Sequence, residues 1–119
     1  MNSETKLQRA IMLALSKAGY TIWRNETGQF WTGQQLHRAD GQILLGNATM
    51  VVCGLCKGSS DLIGIGPGGR FLALEVKTQT GRATVEQQNY INQVNARGGI
   101  AGIVRSVEDA LALVQQEET

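Results

Sequence analysis

Soft metal ligands are scarce in this chain: two cysteines, Cys53 and Cys56, and one histidine, His37. A structural zinc site needs four ligands, so this set falls short of one. A redox Cys-x-x-Cys normally opens a helix after a strand, whereas Lys57-Gly58-Ser59-Ser60 reads as a loop. The expectation is two ordinary reduced cysteines at a strand end. No apolar run approaches the ~20 residues of a membrane-spanning helix. The first residues, Met1-Asn2-Ser3-Glu4-Thr5-Lys6, lack the basic start and apolar stretch of a secretory signal, so a cytoplasmic location is expected. A strong charge of either sign is missing too, since the net charge is +1. Its distribution says more. Residues 1–105 hold all eleven Lys and Arg against six acids, a net +5, while Glu108, Asp109, Glu117 and Glu118 follow. A basic working face with an acidic tail is compatible with a polyanionic partner.

What is present organises into one α/β domain, residues 1–119, long enough to bury a single core without staples. Residues 3–18 predict a helix, with Ser3 as its cap, Leu7, Ala10, Ile11, Ala14, Leu15 and Ala18 at helical spacing, and Gly19 as its stop. Residues 20–25 and 29–32 read as strands around a turn at Glu26-Thr27-Gly28, and 42–53 as a strand broken near Gly46-Asn47. A strand over 60–65, a turn at 66–70 and a return strand over 71–77 follow. Thr84 opens a second helix that stops at Gly98-Gly99. Residues 100–104 make a short buried strand, and Ser106 caps a last helix running to about Gln115.

The hairpin carries the chemistry. If Ile65 pairs with Phe71, Ile63 falls opposite Ala73 and Asp61 opposite Glu75. Directly paired residues share a face with Cβ atoms ~4.5–5.5 Å apart. Lys77, two residues beyond Glu75, joins that face. Two facing carboxylates repel unless something positive lies between them. A divalent cation with an ammonium beside it resolves the repulsion, which is the make-up of a hydrolytic metal site. Phosphodiester hydrolysis needs a cation held by oxygen ligands with open positions, and Mg²⁺ suits two carboxylates plus a substrate phosphate. Lys77 would then orient the nucleophile and offset developing charge. The competing reading of the trio is an ion pair on an exposed sheet face.

Other residues admit two readings each. Thr84-x-x-Gln87 matches a capping box, and Gln87 also lies where it could orient Lys77 or a water from above the sheet. Glu4 is either a first-turn acid favoured by the helix dipole or an acid on the buried stripe. Lys57 and Arg82 flank the pair and suit phosphate contacts or solvated loop charges. Trp23 and Trp31 suit base stacking, core packing or a dimer contact.

Gly58-Ser59-Ser60-Asp61-Leu62-Ile63-Gly64-Ile65, Glu75-Val76-Lys77-Thr78, Gly81-Arg82 and Gln87, with Ser3-Glu4, Trp23-Arg24-Asn25 and Gly28, resemble the VRR-NUC (virus-type replication-repair nuclease) domain, a branch of the PD-(D/E)xK nuclease superfamily. The resemblance spans nearly the whole chain. It implies an αβββαβ core, with a mixed sheet flanked by helices. It implies Asp61 and Glu75 as metal ligands for Mg²⁺ or Mn²⁺, the Val76 carbonyl completing the set, and Lys77 as the catalytic lysine. It makes Glu4 an active-site acid that reaches metal through water, places Gln87 in the active site, and adds Arg24 to Lys57 and Arg82 as a DNA contact. Ser60 stands where the superfamily name has proline, as is common in this branch.

Compact members of the family, from phage and bacteria, resemble homodimeric nucleases of Holliday (four-way) junctions. That resemblance implies a metal-dependent, structure-selective DNA endonuclease acting as a homodimer in a bacterial or phage-infected cell. A four-way junction has two-fold symmetry, and a two-fold dimer presents two equivalent sites to it. Residues 26–50, with Phe30, Trp31, Leu36 and Ile43-Leu44-Leu45, are the expected dimer surface. The alternatives are a less selective nuclease, nickase or flap nuclease, or a DNA-binding module with little activity of its own.

Overall fold

Leu7, Ile11 and Leu15 turn one face of helix α1 (Ser3–Lys17) inward, where Ile11 and Leu15 are fully buried. The structure, a computed structural model, describes residues 3–26 and 28–117, with side chains described through Gln115. Helix α1 already includes Ser3, so Ser3 lies within the helix and is not the expected cap; residues 1 and 2 lie outside the described residues. The helix ends as expected at Gly19. Its N–H donates to Ser16 O and that of Tyr20 to Leu15 O, the paired bonds of a Schellman motif, with Gly19 at a φ of 99° that suits glycine.

Strand β1 (Thr21–Arg24) enters a four-stranded sheet with β4 (Leu62–Ile65), β5 (Phe71–Val76) and β6 (Ile100–Val104), in the order β1-β4-β5-β6. The first three are antiparallel, and β6 joins β5 in parallel. The parallel step requires a crossover, which helix α2 (Val85–Ala96) supplies. Helix α3 (Val107–Glu117) closes the fold, its start held by Ser106 Oγ, which accepts from Asp109 N–H.

Period-two alternation divides the sheet into two faces. Leu62, Leu72, Leu74, Val76, Ile100 and Val104 face α1 and α3, in one core with Ile11, Leu15, Ala110 and Val114. Ile63, Ala73 and Ala101 face α2, where Ile91 covers them. Each of these large side chains adds ~1.5–3 kcal/mol by leaving water. The result is helices on both faces of a mixed sheet, the α/β nuclease-like architecture that the sequence suggests.

The segment between β1 and β4 departs from expectation. β1 pairs with β4 and not with the strand that follows it. Instead β2 (Gly28–Ala39) and β3 (Gln42–Cys53) form a separate two-stranded ribbon, turned at Asp40-Gly41 with both residues at positive φ. The expected strand at 29–32 therefore runs on to Ala39. Thr27, in the middle of the expected turn, lies outside the described residues. The predicted break at Gly46-Asn47 is present as a register shift between Thr32 and Gln34, with Asn47 at a φ of 50°. No described ribbon residue belongs to either core cluster. The radius of gyration is 16.7 Å, against ~13–14 Å for a compact chain of this length, and the longest dimension reaches 55 Å. Among the described residues, no helix is long and apolar enough to cross a membrane.

Candidate metal centre

The turn at 66–70 sets the register that brings the acids together. Gly66 N–H donates to Arg70 O at 2.8 Å, and Ile65 pairs with Phe71, Ile63 with Ala73 and Leu62 with Leu74. Strand pairing ends there. Asp61, one residue earlier, leaves the ladder and turns its carboxylate to the backbone of β5: Oδ2 accepts from Val76 N–H at 3.0 Å. Glu75 sits beside it on the α2 face, 2% exposed. Ladder position alone would have put the two acids directly opposite. The structure shifts Asp61 onto a backbone donor and keeps the two carboxyl groups in interaction.

Glu75 is held on one side only. Its Oε1 accepts from Gln87 Nε2 at 3.0 Å and lies 3.5 Å from Lys77 Nζ, while the buried Oε2 has no partner. Burial pushes the Glu75 carboxyl up from its ordinary 4.5 to about 8; the nearby Asp61 adds to the rise, and Lys77 opposes it. A buried acid with one oxygen orphaned beside a second acid fits an oxygen-seeking divalent cation, which would satisfy Oε2 and the paired charge together.

Lys77 follows β5 with its backbone N–H bonded to Val104 O at 3.1 Å and its side chain mostly buried. Gly81 lies against its stem, and a Cβ there would meet Lys77 Cδ at 3.3 Å. Gln87 caps the helix as expected, and its amide reaches Glu75 rather than the expected Lys77 or a water. Its Oε1 accepts from Thr84 N–H at 2.9 Å and its own N–H donates to Thr84 Oγ1 at 3.1 Å, completing the capping box, while its amide nitrogen reaches Glu75. One side chain therefore links the start of α2 to the buried acid.

The remaining expected residues spread around this centre. Lys57 is exposed and pairs with Glu86 at 3.5 Å, beside Gln87 in the first turn of α2. Its loop approaches the helix so closely at Gly58 that a Cβ would lie 2.5 Å from Glu86 O. Arg82 is exposed in the segment before α2. Arg24 ends β1 on the opposite side of the centre, where Gln8, Arg24, Asn25, Glu26 and Asp61 line a polar cleft of about 140 Å³. Glu4 is half-buried one helical turn from Gln8. Among the described residues no third carboxylate, cysteine or histidine groups with Asp61 and Glu75. Glu4 is on the right face of the helix without joining the pair.

Trp23 and Trp31 are 44% and 64% exposed, which corrects the core-packing reading of both. Trp23 stands on the edge strand β1, on the face opposite the core-packed Ile22, and Trp31 on the ribbon. Cys53 ends β3 and Cys56 lies exposed in the loop beyond it, with no disulfide between them. A larger apolar cleft of about 340 Å³ lies between Phe71, Tyr90, Val94 and Arg97 at the other end of β5, and no carboxylate lines it.

Two residues beside the centre were given no role of their own by sequence reasoning. Asn25 ties down the segment that carries Asp61: its Nδ2 donates to Ser59 Oγ at 2.7 Å and Ser60 O at 3.0 Å, and its backbone N–H to Asp61 O at 2.8 Å. No local pattern signals a contact made across 34 residues. Gln8 was within reach, since it lies four residues from Glu4 on the same helix face.

Comparison with known proteins agrees with this fold. No curated protein sequence matches the chain. Among solved structures, a chain described as a VRR_NUC domain superposes with a TM-score of 0.60 at 16% identity, over 97% of each chain, which shows the shared fold. The sequence pattern of the VRR-NUC domain matches residues 2–108, and the chain therefore belongs to the VRR-NUC family of nucleases.

Proposed function

We propose that this chain is a Mg²⁺- or Mn²⁺-dependent endonuclease that hydrolyses phosphodiester bonds in branched DNA, four-way junctions above all, as a homodimer. The observation that carries the reading is Glu75, buried with Oε2 orphaned, next to Asp61 and within 3.5 Å of Lys77 Nζ. Asp61, Glu75 and the Val76 carbonyl would hold the cation, with Glu4 reaching it through water. When bound, the cation supplies polarisation of the phosphoryl oxygen and a more acidic water.

The chain's own side chains do the rest. Gln87 holds Oε1 of Glu75 and leaves Oε2 free for the cation. The Val76 N–H fixes the direction of the Asp61 side chain by donating to its Oδ2. Lys77 places an ammonium where negative charge builds on the phosphate, and its near-burial strengthens that interaction relative to water. Lys57 and Arg82 on one side and Arg24 on the other are the contacts for the DNA backbone.

The ribbon supports the homodimer. Phe30, Trp31, Leu36, Ile43, Leu44, Met50, Val51 and Val52 are all exposed on it, more apolar surface than a lone chain ordinarily leaves in water. Residues 28–53 carry only Arg38 and Asp40 as formal charges, so this ribbon suits a second copy better than a polyanion. Incubating the chain with labelled four-way junction, 5′ flap and plain duplex tests the substrate. Symmetric paired cuts confined to the junction support the reading. Equal cutting of flap or duplex overturns the junction preference and leaves the hydrolytic site standing.

A further inference from the structure

Arg24 pairs with Leu62, so its side chain lies on the α1 face of the sheet, across from Glu75 and Lys77. There it lines the polar cleft with Gln8, Asn25, Glu26 and Asp61. Two of its nitrogens, Nε and Nη2, are shut away from water and have no acceptor. Those two atoms form one edge of the guanidinium, the edge that grips an oxyanion through two parallel bonds. A permanently charged group with that edge unsatisfied is unfavourable in the free chain, and an anion in the cleft removes the penalty.

The rest of the cleft narrows the choice of anion. Asp61 is engaged with Val76 N–H, and Glu26 is exposed and able to turn to solvent. A small free anion would still meet two carboxylates. A phosphodiester held in place by its own strand pays little for that, because its neighbour is anchored in the hydrolytic centre. Gln8 adds a neutral amide from α1. Asp61 lines the cleft and also interacts with Glu75 in the centre, so the two sites adjoin one another.

We infer that this cleft is a second phosphate subsite, which takes the backbone phosphate next to the one cleaved, Arg24 donating through Nε and Nη2 after a small swing and Gln8 through its amide. The subsite rests on the nuclease reading above and adds to it the register in which the strand lies.

A scan of single methylphosphonates, which remove one backbone charge at a time, tests it on a DNA strand around the mapped cut. In the parent chain one position adjacent to the cut should lower kcat/KM by on the order of tenfold, the size of one charge-assisted contact. Arg24→Gln should show a similar loss on unmodified DNA and no further loss from that one methylphosphonate, while every other position keeps its parental effect. Gln8→Ala, on the surface of α1, should weaken the same position alone and more mildly. Thermal melting of both variants confirms that they are folded. Independent penalties that multiply, or an Arg24→Gln loss spread evenly over all positions, overturn the subsite while the nuclease stands. A parent chain that cuts no DNA overturns both.

Discussion

Gln87 donates through Nε2 to Oε1 of Glu75 at 3.0 Å while its own Oε1 accepts from the backbone N–H of Thr84 at 2.9 Å. The helix cap and the buried acid therefore share one side chain. Thr84→Ala and Gln87→Ala each break the capping box and should each cost ~0.5–2 kcal/mol of stability. Only Gln87→Ala also frees Glu75, so only it should raise the metal concentration needed for half-maximal cleavage. Denaturant melts and metal titrations of both variants separate the two effects. Equal metal midpoints would show that the Gln87–Glu75 bond plays no part in arranging the centre.

Glu75 makes the metal-free protein sensitive to pH in a definite direction. Its carboxyl is raised from 4.5 to about 8 in the fold, so between those values the folded chain binds more protons than the unfolded one. Stability then falls as pH rises across that window and is greatest below it. In EDTA the melting temperature should drop from pH 5 to pH 8.5, and Glu75→Gln should flatten the trend. Divalent metal replaces the proton, so its stabilising effect should grow with pH over the same range. A melting temperature that climbs with pH in EDTA would contradict the assignment.

Asn25 binds Ser59 and Ser60 just ahead of Asp61. Asn25→Ala leaves the Ser60 carbonyl and the Ser59 hydroxyl short of a donor, at ~1–3 kcal/mol. Asn25→Asp should do at least as much harm, because it turns an acceptor toward the Ser60 carbonyl. Urea unfolding of the three proteins checks this, and an Asn25→Ala chain as stable as the parent would sink it.

The ribbon's apolar surface gives a prediction about assembly. Trp31→Glu or Leu44→Glu should convert a dimer to a monomer without lowering the melting temperature of the body, since neither side chain joins a core cluster. Light scattering after size exclusion reads the mass directly. Dimers that survive both substitutions would place the interface elsewhere.

How much of this was legible in the sequence depended on how local the cause was. The Asp61–Glu75 juxtaposition follows from a five-residue turn, Gly66–Arg70, that leaves the register little freedom. The capping box and the Gly19 and Gly98 stops are equally local, and each lies where its residue types predict. The ribbon was half missed for the opposite reason. Every residue of β2 is exposed, so no alternation of buried and exposed positions marks the strand. Asp40-Gly41 was its one clear signal, being a favoured pair for a two-residue hairpin turn. The Arg24–Gln8 cleft and the Asn25 tether needed the packing of α1 and β1 against the Asp61 loop, which no window of sequence contains.

The most direct test of the central claim is cleavage of labelled four-way junction by the parent chain and by Lys77→Ala, each in Mg²⁺, Mn²⁺ and EDTA, with binding measured in parallel. The account predicts metal-dependent cutting by the parent, loss of at least about a hundredfold in the variant, a scale typical of removing one transition-state charge partner, and binding little changed. Cutting that persists in EDTA or in Lys77→Ala, or junction binding with no cutting under any metal, would contradict it.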